Sequence, residues 1–282
     1  MIVACLGSGS GGNAWYVASG ETRLLVDAGF SGVETERRLA ALGVEPEAVG
    51  AVVVTHEHRD HTAGAGVAAR RWGWPLHMSP VTRDACADLL RGGETVRTFE
   101  AGEPFALGEL EVRPFLTCHD AADPLAVTVV ERSTGLKLGM ATDLGRPTGP
   151  VRHALSGSHF LVLEANHDEV MLRESPYPWS VKQRIGGSRG HLSNRVAADL
   201  AADLHHPEMG GVLLAHLSQE CNEPELARRT VEEALREAGF GGALRVAGQD
   251  EPTRLFDVGE LVRRAASGPQ LELFRRRRAA AG

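Results

Sequence analysis

His56-Glu57-His58-Arg59-Asp60-His61 follows the apolar run Ala51–Thr55 and precedes the glycine-dotted segment Ala63–Gly66. A strand that ends in such a loop presents its side chains at the rim of a sheet, where ligand sites tend to lie. Three imidazoles and the Asp60 carboxylate within six residues make a dense nitrogen and oxygen donor set, suited to a borderline divalent metal. The competing reading, a polar turn with chance histidines, needs no such density.

One cluster of this kind does not easily satisfy two metals, and further donors occur in similar settings. His119 follows LEVRPFLTC, Asp143 follows KLGMA inside MATDLG, and His216 ends the apolar run GVLLA. Each stands at the C-terminal end of a predicted strand. Singly, His119 or His216 reads equally well as a satisfied structural histidine; the recurrence favours ligands.

The rest of the chain fits a layered α/β protein. Predicted strands are Thr22–Val26, Ala51–Thr55, Leu110–Phe115, Leu125–Glu131, Lys137–Ala141, Phe160–Leu163 and Gly211–Ala215, the last two continuously apolar, as strands covered on both faces should be. They interleave with helical patterns at Glu34–Leu42, Val81–Leu90, Ser193–Leu204 and Pro224–Ala238. One domain over residues 1–267 is expected, with a basic tail over 268–282. The Arg275–Arg278 block in that tail reads most simply as a solvated, disordered end.

Composition narrows the class. The 43% hydrophobic and 24% charged fractions suit a soluble globular protein, and no run of about 18 apolar residues offers a membrane span. The start, MIVACLGSGSGGN, lacks the charged and apolar regions of a secretory signal. Cys5, Cys86, Cys118 and Cys221 are scattered, which argues against a disulfide framework or a cysteine-rich zinc site and for a cytoplasmic location. The net charge of −7 runs against the basic footprint of most nucleic-acid binders, although it leaves room for a local patch.

THEHRDH, a lone His, the Asp of ATD and a second lone His resemble the ordered ligand signature of the metallo-β-lactamase fold. The resemblance implies an αββα sandwich with two facing mixed sheets and outer helices. It further implies one metal on His56, His58 and His119, a second on Asp60, His61 and His216, and Asp143 bridging both. Asp27 in LLVDAG would support the ligand loop. SGSGGNAWYV (8–17), CHDAADP (118–124), LEANHD (163–168), YPWSVKQRI (177–185), GHLSN (190–194) and AHLSQECNEPELA (215–227) resemble the bacterial YycJ/WalJ group, regarded as single-domain 5′-to-3′ DNA exonucleases. Cys221, where Asn is expected, and Arg59, in a spacer usually small or neutral, depart from that pattern without touching an expected ligand.

The implied chemistry is phosphodiester hydrolysis by a metal-bridging hydroxide, with two ions about 3.5–4 Å apart. Asp60 takes part through the metal. His191 is the expected proton donor for the departing sugar oxygen and Glu164 its orienting partner, by similarity to the paired Glu and His of tRNA 3′-processing nucleases. The plainer reading of His191 is a residue leading into the Ser193/Asn194 helix cap. His167 reads equally as an outer-shell group, a substrate contact or part of a polar turn. Asp120 and Asn166 are candidate acceptors for ligand imidazoles.

Substrate contacts are expected from several quarters. The loop Gly7–Asn13 is neither a Walker nor a Rossmann pattern. Its Ser8, Ser10 and Asn13 suit an anion, although a plain hairpin turn explains them too. Lys182 and Arg184, with Arg189, offer positive potential beside GHLSN, and Tyr177 and Trp179 offer stacking surfaces unless they are core aromatics. The same two metals would also serve a small-molecule ester, thioester or lactone hydrolase. Purely structural metals fit seven ligands poorly, because structural zinc sites close with four. The segment between Asp143 and His216 already holds LEANHD and GHLSN, leaving no room for the cap inserted in ribonuclease J-type enzymes. The preference for DNA over RNA rests on the resemblance. The His/Asp set accepts Mn²⁺ or Zn²⁺, and the resemblance leans toward manganese.

Overall fold

Alternating apolar residues need a buried face on one or both sides, and among the described residues they build fourteen strands. The computed structural model describes residues 1–267; the predicted tail over 268–282, with its arginine block, lies outside the described residues. In chain order the strands are β1 (Ile2–Gly7), β2 (Ala14–Ser19), β3 (Thr22–Val26), β4 (Ala51–Val53), β5 (Leu76–Met78), β6 (Val96–Thr98), β7 (Phe105–Leu107), β8 (Leu110–Leu116), β9 (Leu125–Glu131), β10 (Lys137–Ala141), β11 (Phe160–Glu164), β12 (Gly211–Ala215), β13 (Ala243–Val246) and β14 (Phe256–Asp257). They form two seven-stranded sheets, ordered β14-β1-β2-β3-β4-β5-β6 and β13-β12-β11-β10-β9-β8-β7.

The two-residue period sorts side chains into layers. Val3, Cys5, Trp15, Val17, Leu24 and Val26 of the first sheet meet Val112, Val127, Val129, Met140, Val162 and Leu213 of the second in a core between the sheets. The alternate residues face outward onto helices. Leu6, Leu25 and Val52 pack with Leu39 of helix Gly32–Ala41 and Ala68 of helix Ala65–Trp72. Leu161, Leu163, Val212 and Leu214 pack under helices Gly149–Leu155, Asn194–Leu204 and Pro224–Glu237. Helix, sheet, sheet, helix is the αββα sandwich expected, and both β11 and β12 are buried throughout. No helix among the described residues is long and apolar enough to cross a membrane.

Among the boundaries that differ from expectation, two have a clear local cause. β4 stops at Val53 because Thr55 is diverted into a side-chain contact with Asp27. The predicted helix Val81–Leu90 ends at Ala85, after starting on a Ser79 cap and Pro80, and gives way to turns.

Connectivity decides where the site lies. Strands β10, β11, β12 and β13 run parallel and in step, with Ala141 opposite Leu163, Leu163 opposite Leu214, and Glu164 opposite Ala215. Parallel strands deliver their following loops to one edge. Strands β3 and β4 are also parallel, so the residues after Val26 and Val53 emerge together on the first sheet.

Arg38 is a buried tie in this frame. Its guanidinium donates to the Leu6 carbonyl at 2.6 Å, the Gln249 carbonyl at 2.8 Å and Glu34 at 2.6 Å, and it lies 4.0 Å over the Phe30 ring. Arg38→Met keeps the stem but leaves two carbonyls without their donor. Chemical denaturation is expected to show a loss of about 2–4 kcal/mol; a change within measurement error would contradict this role.

Candidate metal centre

The donor loop is clamped from below before any ligand is considered. The Asn13 N–H donates to the Asp60 carbonyl at 2.6 Å and the Ala28 N–H to the His61 carbonyl at 2.8 Å. Asp27 accepts from the Thr55 N–H at 2.8 Å, from the Thr55 hydroxyl at 3.0 Å and from His61 Nδ1 at 2.7 Å. A Cβ at Gly29 would stand 1.8 Å from the Asp60 carbonyl oxygen, so only glycine fits under the loop. Asp27, Asp143 and His216, each just past a strand end, have φ of 63°, 56° and 55°. They are the only non-glycine residues with positive φ among those described. Side chains seldom accept that left-handed backbone, and it clusters where structure is held for function.

The seven predicted ligands converge. Three sets of donors lie within 4.8 Å of one another: His56 with His58 and His119, Asp60 with His61 and His216, and His56 with His61 and Asp143. His61 Nε2 is 3.1 Å from Asp143 Oδ2 and 3.3 Å from Asp60 Oδ2, and His119 Nε2 is 3.6 Å from Asp143 Oδ1. Four of the imidazoles have their Nδ1 engaged from behind. Thr55 Oγ1 holds His56 at 3.0 Å, Asp27 holds His61, the Gly190 carbonyl holds His119 at 3.1 Å, and Glu164 holds His216 at 2.9 Å. Such outer partners fix the ring so that the other nitrogen points inward.

Two atoms test whether cations fit. His56 Nε2 and Asp143 Oδ2 are buried with no hydrogen-bond partner, the latter close to His61 Nε2 but outside hydrogen-bonding geometry. Orphaned buried polar atoms are costly. Donors each about 2.0–2.2 Å from one ion lie roughly 3 Å apart, the spacing seen here. The donor set and the two orphaned atoms therefore fit divalent metal binding.

Charge bears this out. Burial opposes ionisation of Asp60 and Asp143, yet the surrounding imidazoles overcome it and hold both carboxyls below their ordinary range. Burial also opposes charge on His216, but Asp143, Asp60 and Glu164 outweigh it and raise its imidazole to about 10. His61 is raised in the same way, chiefly by Asp143 and Asp27 against its burial.

His191 and Glu164 complete the cluster, with His191 Nδ1 2.8 Å from Glu164 Oε1. Glu164 is fully buried and accepts from the N–H groups of Asp143, Leu144 and Leu192 as well. Its bond to His216 was not foreseen; LEANHD beside a parallel strand ending in His216 was the available signal. Thr55 behind His56 was also missed, although it directly precedes the donor run.

Other predicted residues sit differently. Ser8 and Asn13 are buried and unavailable to a substrate. Ser8 Oγ donates to Asn13 and accepts from the His216 N–H, while Asn13 Nδ2 reaches Asp60 at 3.0 Å. Only Ser10 of that loop is exposed at the cavity over the centre, a space of about 410 Å³ that also borders Tyr177 and Arg184. Asn166 donates to the His216 carbonyl, not to an imidazole, and Asp120 stands 3.2 Å from His119 Nε2, held by Arg184 at 2.6 Å. Neither is the acceptor behind a ligand ring that the sequence suggested, because the Gly190 carbonyl and Glu164 occupy those positions. Arg189 donates to the His119 carbonyl. His167 and Lys182 line a neighbouring cavity instead.

Fold and site together define a metal-dependent hydrolase scaffold, and the sequence model of the metallo-beta-lactamase superfamily matches residues 7–172; the chain belongs to that superfamily. Within it, the chain falls in the YycJ/WalJ group. It is 39% identical over 238 residues to the exodeoxyribonuclease YycJ of Bacillus anthracis, covering 84% of this chain and 89% of that one. It is 34% identical over 240 residues to the exodeoxyribonuclease WalJ of Streptococcus pneumoniae, covering 84% and 88%. The crystal structure of YhfI from Bacillus subtilis, a metallo-beta-lactamase fold protein, superposes with a TM-score of 0.69 at 18% identity over 89% of this chain and 98% of that one.

Metal binding needs neutral imidazoles, whereas the carboxylates around His61 and His216 raise both above the ordinary imidazole value and favour their protonated forms. Titrating Mn²⁺ into metal-free protein near pH 7, in buffers of different ionisation enthalpy, is expected to show proton release and an affinity that weakens as pH falls. Heat independent of the buffer would contradict this.

Proposed function

We propose that residues 1–267 form a single catalytic domain that hydrolyses phosphodiester bonds in DNA, as a 5′-to-3′ exonuclease using two divalent ions. The ligands are His56, His58 and His119 for one ion and Asp60, His61 and His216 for the other, with Asp143 between them. When bound, such a pair activates water near neutral pH and clamps the phosphate oxygens whose charge grows during in-line attack. Mn²⁺ or Zn²⁺ suits the all-His/Asp donors. A DNA substrate is drawn from the relatives named exodeoxyribonucleases and the 5′-to-3′ direction from the motif resemblance to the YycJ/WalJ group, and a cytoplasmic setting agrees with that substrate.

The observation that carries the reading is the His191–Glu164 pair. Cutting a phosphodiester expels an alkoxide, a poor leaving group that needs a proton. Burial opposes charge on His191, but Glu164 outweighs it and raises the imidazole above its ordinary value. That shift favours the protonated imidazole a donor needs. With Nδ1 held by Glu164, Nε2 is the nitrogen left to deliver it. The side chain is 19% exposed and borders the cavity above the ligands. Arg184 stands at the same rim, paired with Asp120. A small-molecule ester, thioester or lactone hydrolase on the same centre would have less need of this donor.

The discriminating measurement varies the leaving group. His191→Ala is expected to lower kcat on DNA by about 10²–10⁴-fold. Hydrolysis of bis(p-nitrophenyl) phosphate, whose leaving group departs without a proton, should fall far less. On DNA the wild-type rate should decline on the alkaline side as His191 loses its proton. Full DNA cleavage by His191→Ala would remove the donor role. Turnover of lactones with none on any nucleic acid would favour the small-molecule reading.

A further inference from the structure

His191 is a shared wall. On one side lies the space over the ligands; on the other lies a second cavity of about 710 Å³, within the roughly 300–1,000 Å³ range of small-molecule sites. Helix Trp179–Ile185, residues 167–173 and the start of helix Asn194–Leu204 enclose it. Three features mark it as a binding site. Trp179 on its rim is 70% exposed, the one aromatic among the large exposed apolar side chains of the described residues. His167 on its wall is 3% exposed and its Nδ1 has no hydrogen-bond partner. Lys182 donates to the Arg173 carbonyl and has no carboxylate partner among the described residues, unlike Arg173 and Arg195, which pair with Glu174 and Glu169.

The position follows from the reaction. In an in-line displacement the attacking and departing oxygens lie on opposite sides of phosphorus. Water oxygen bonds to phosphorus, the bond from phosphorus to the 3′ oxygen of the terminal nucleotide breaks, and the proton from His191 goes to that oxygen. The shortened strand keeps the phosphate. The donor must stand on the departing side, so the terminal nucleotide lies toward and beyond His191, where this cavity opens.

We propose that the cavity bounded by Trp179, His167 and Lys182 receives the 5′-terminal nucleotide that each cut releases, with its base against the Trp179 indole. This deepens the exonuclease reading and rests on it. An aromatic platform holds any base, because every base has a π-face. Room for a terminal unit beside the proton donor also accounts for digestion from an end. His167 closes the inner wall, and Lys182 offsets the nucleotide's negative charge. Tyr177, singled out with Trp179 in the sequence, borders the metal cavity instead and takes no part in this site.

Two oligonucleotides test it, one ending in an ordinary 5′ adenine nucleotide and one in an abasic tetrahydrofuran unit. The Mn²⁺-loaded wild type is expected to remove the base-bearing end about tenfold faster in kcat/KM, the scale of one base stacked on an aromatic side chain. The ratio should fall close to one in Trp179→Ala and return in Trp179→Phe. Equal rates from the two ends in the wild type, or an unchanged ratio in Trp179→Ala, would overturn the pocket while leaving the nuclease reading standing. Calorimetric titration with deoxyadenosine 5′-monophosphate separates the two claims. Binding that Trp179→Ala abolishes, in a wild type that cuts no DNA, would sink the exonuclease reading and keep a nucleotide site here.

Discussion

Asp143 is 3% exposed, with His61, His119, His191 and His216 all within 4 Å of its carboxylate. A buried carboxylate persists only against compensating positive charge, since an isolated ion loses most of its hydration. Imidazoles supply part of it, yet one carboxylate oxygen and one imidazole nitrogen at the centre still lack partners. The arrangement is therefore complete only with cations. Much of the surrounding structure serves to hold these groups face to face.

The sheets make that possible. Parallel strands β10, β11 and β12 end in step, so Asp143, Glu164 and His216 leave the second sheet side by side. The loop after β4 brings the His56–His61 donors from the first sheet. Three positions adopt the left-handed backbone, a cost of about 1–3 kcal/mol each for side-chain-bearing residues. Glu164 offsets part of it by accepting from two backbone N–H groups at the Asp143 turn while gripping both His191 and His216. One buried carboxylate thus joins His216 of the donor cluster to His191.

Much of this was legible in the sequence. HEHRDH, His119, Asp143 and His216 stood at ends of recognisable apolar runs, and strands β3, β9, β10 and β12 fell on their predicted residues. What escaped had physical causes. Strands β5, β6, β7 and β14 have two or three residues, too few to show a period. Ser8 and Asn13 looked like an anion loop because glycine-rich turns expose backbone, but their side chains turn inward to brace Asp60 and His216. Asp120 adjoins His119 in the chain and Asn166 follows Glu164 by two, whereas the acceptors behind His61, His119 and His216 come from residues distant in sequence. Adjacency along the chain is a poor guide to which nitrogen faces which oxygen. The role of Glu164 could be anticipated for His191 but not for His216, since that contact depends on strand register.

Anomalous diffraction from crystals of the full chain soaked in Mn²⁺ measures directly whether this centre takes two cations with Asp143 between them. Two peaks about 3.5–4 Å apart are expected, one against His56, His58 and His119 and one against Asp60, His61 and His216, both in ligand range of Asp143. A single peak, or peaks remote from Asp143 in a well-folded crystal, would contradict a two-cation centre.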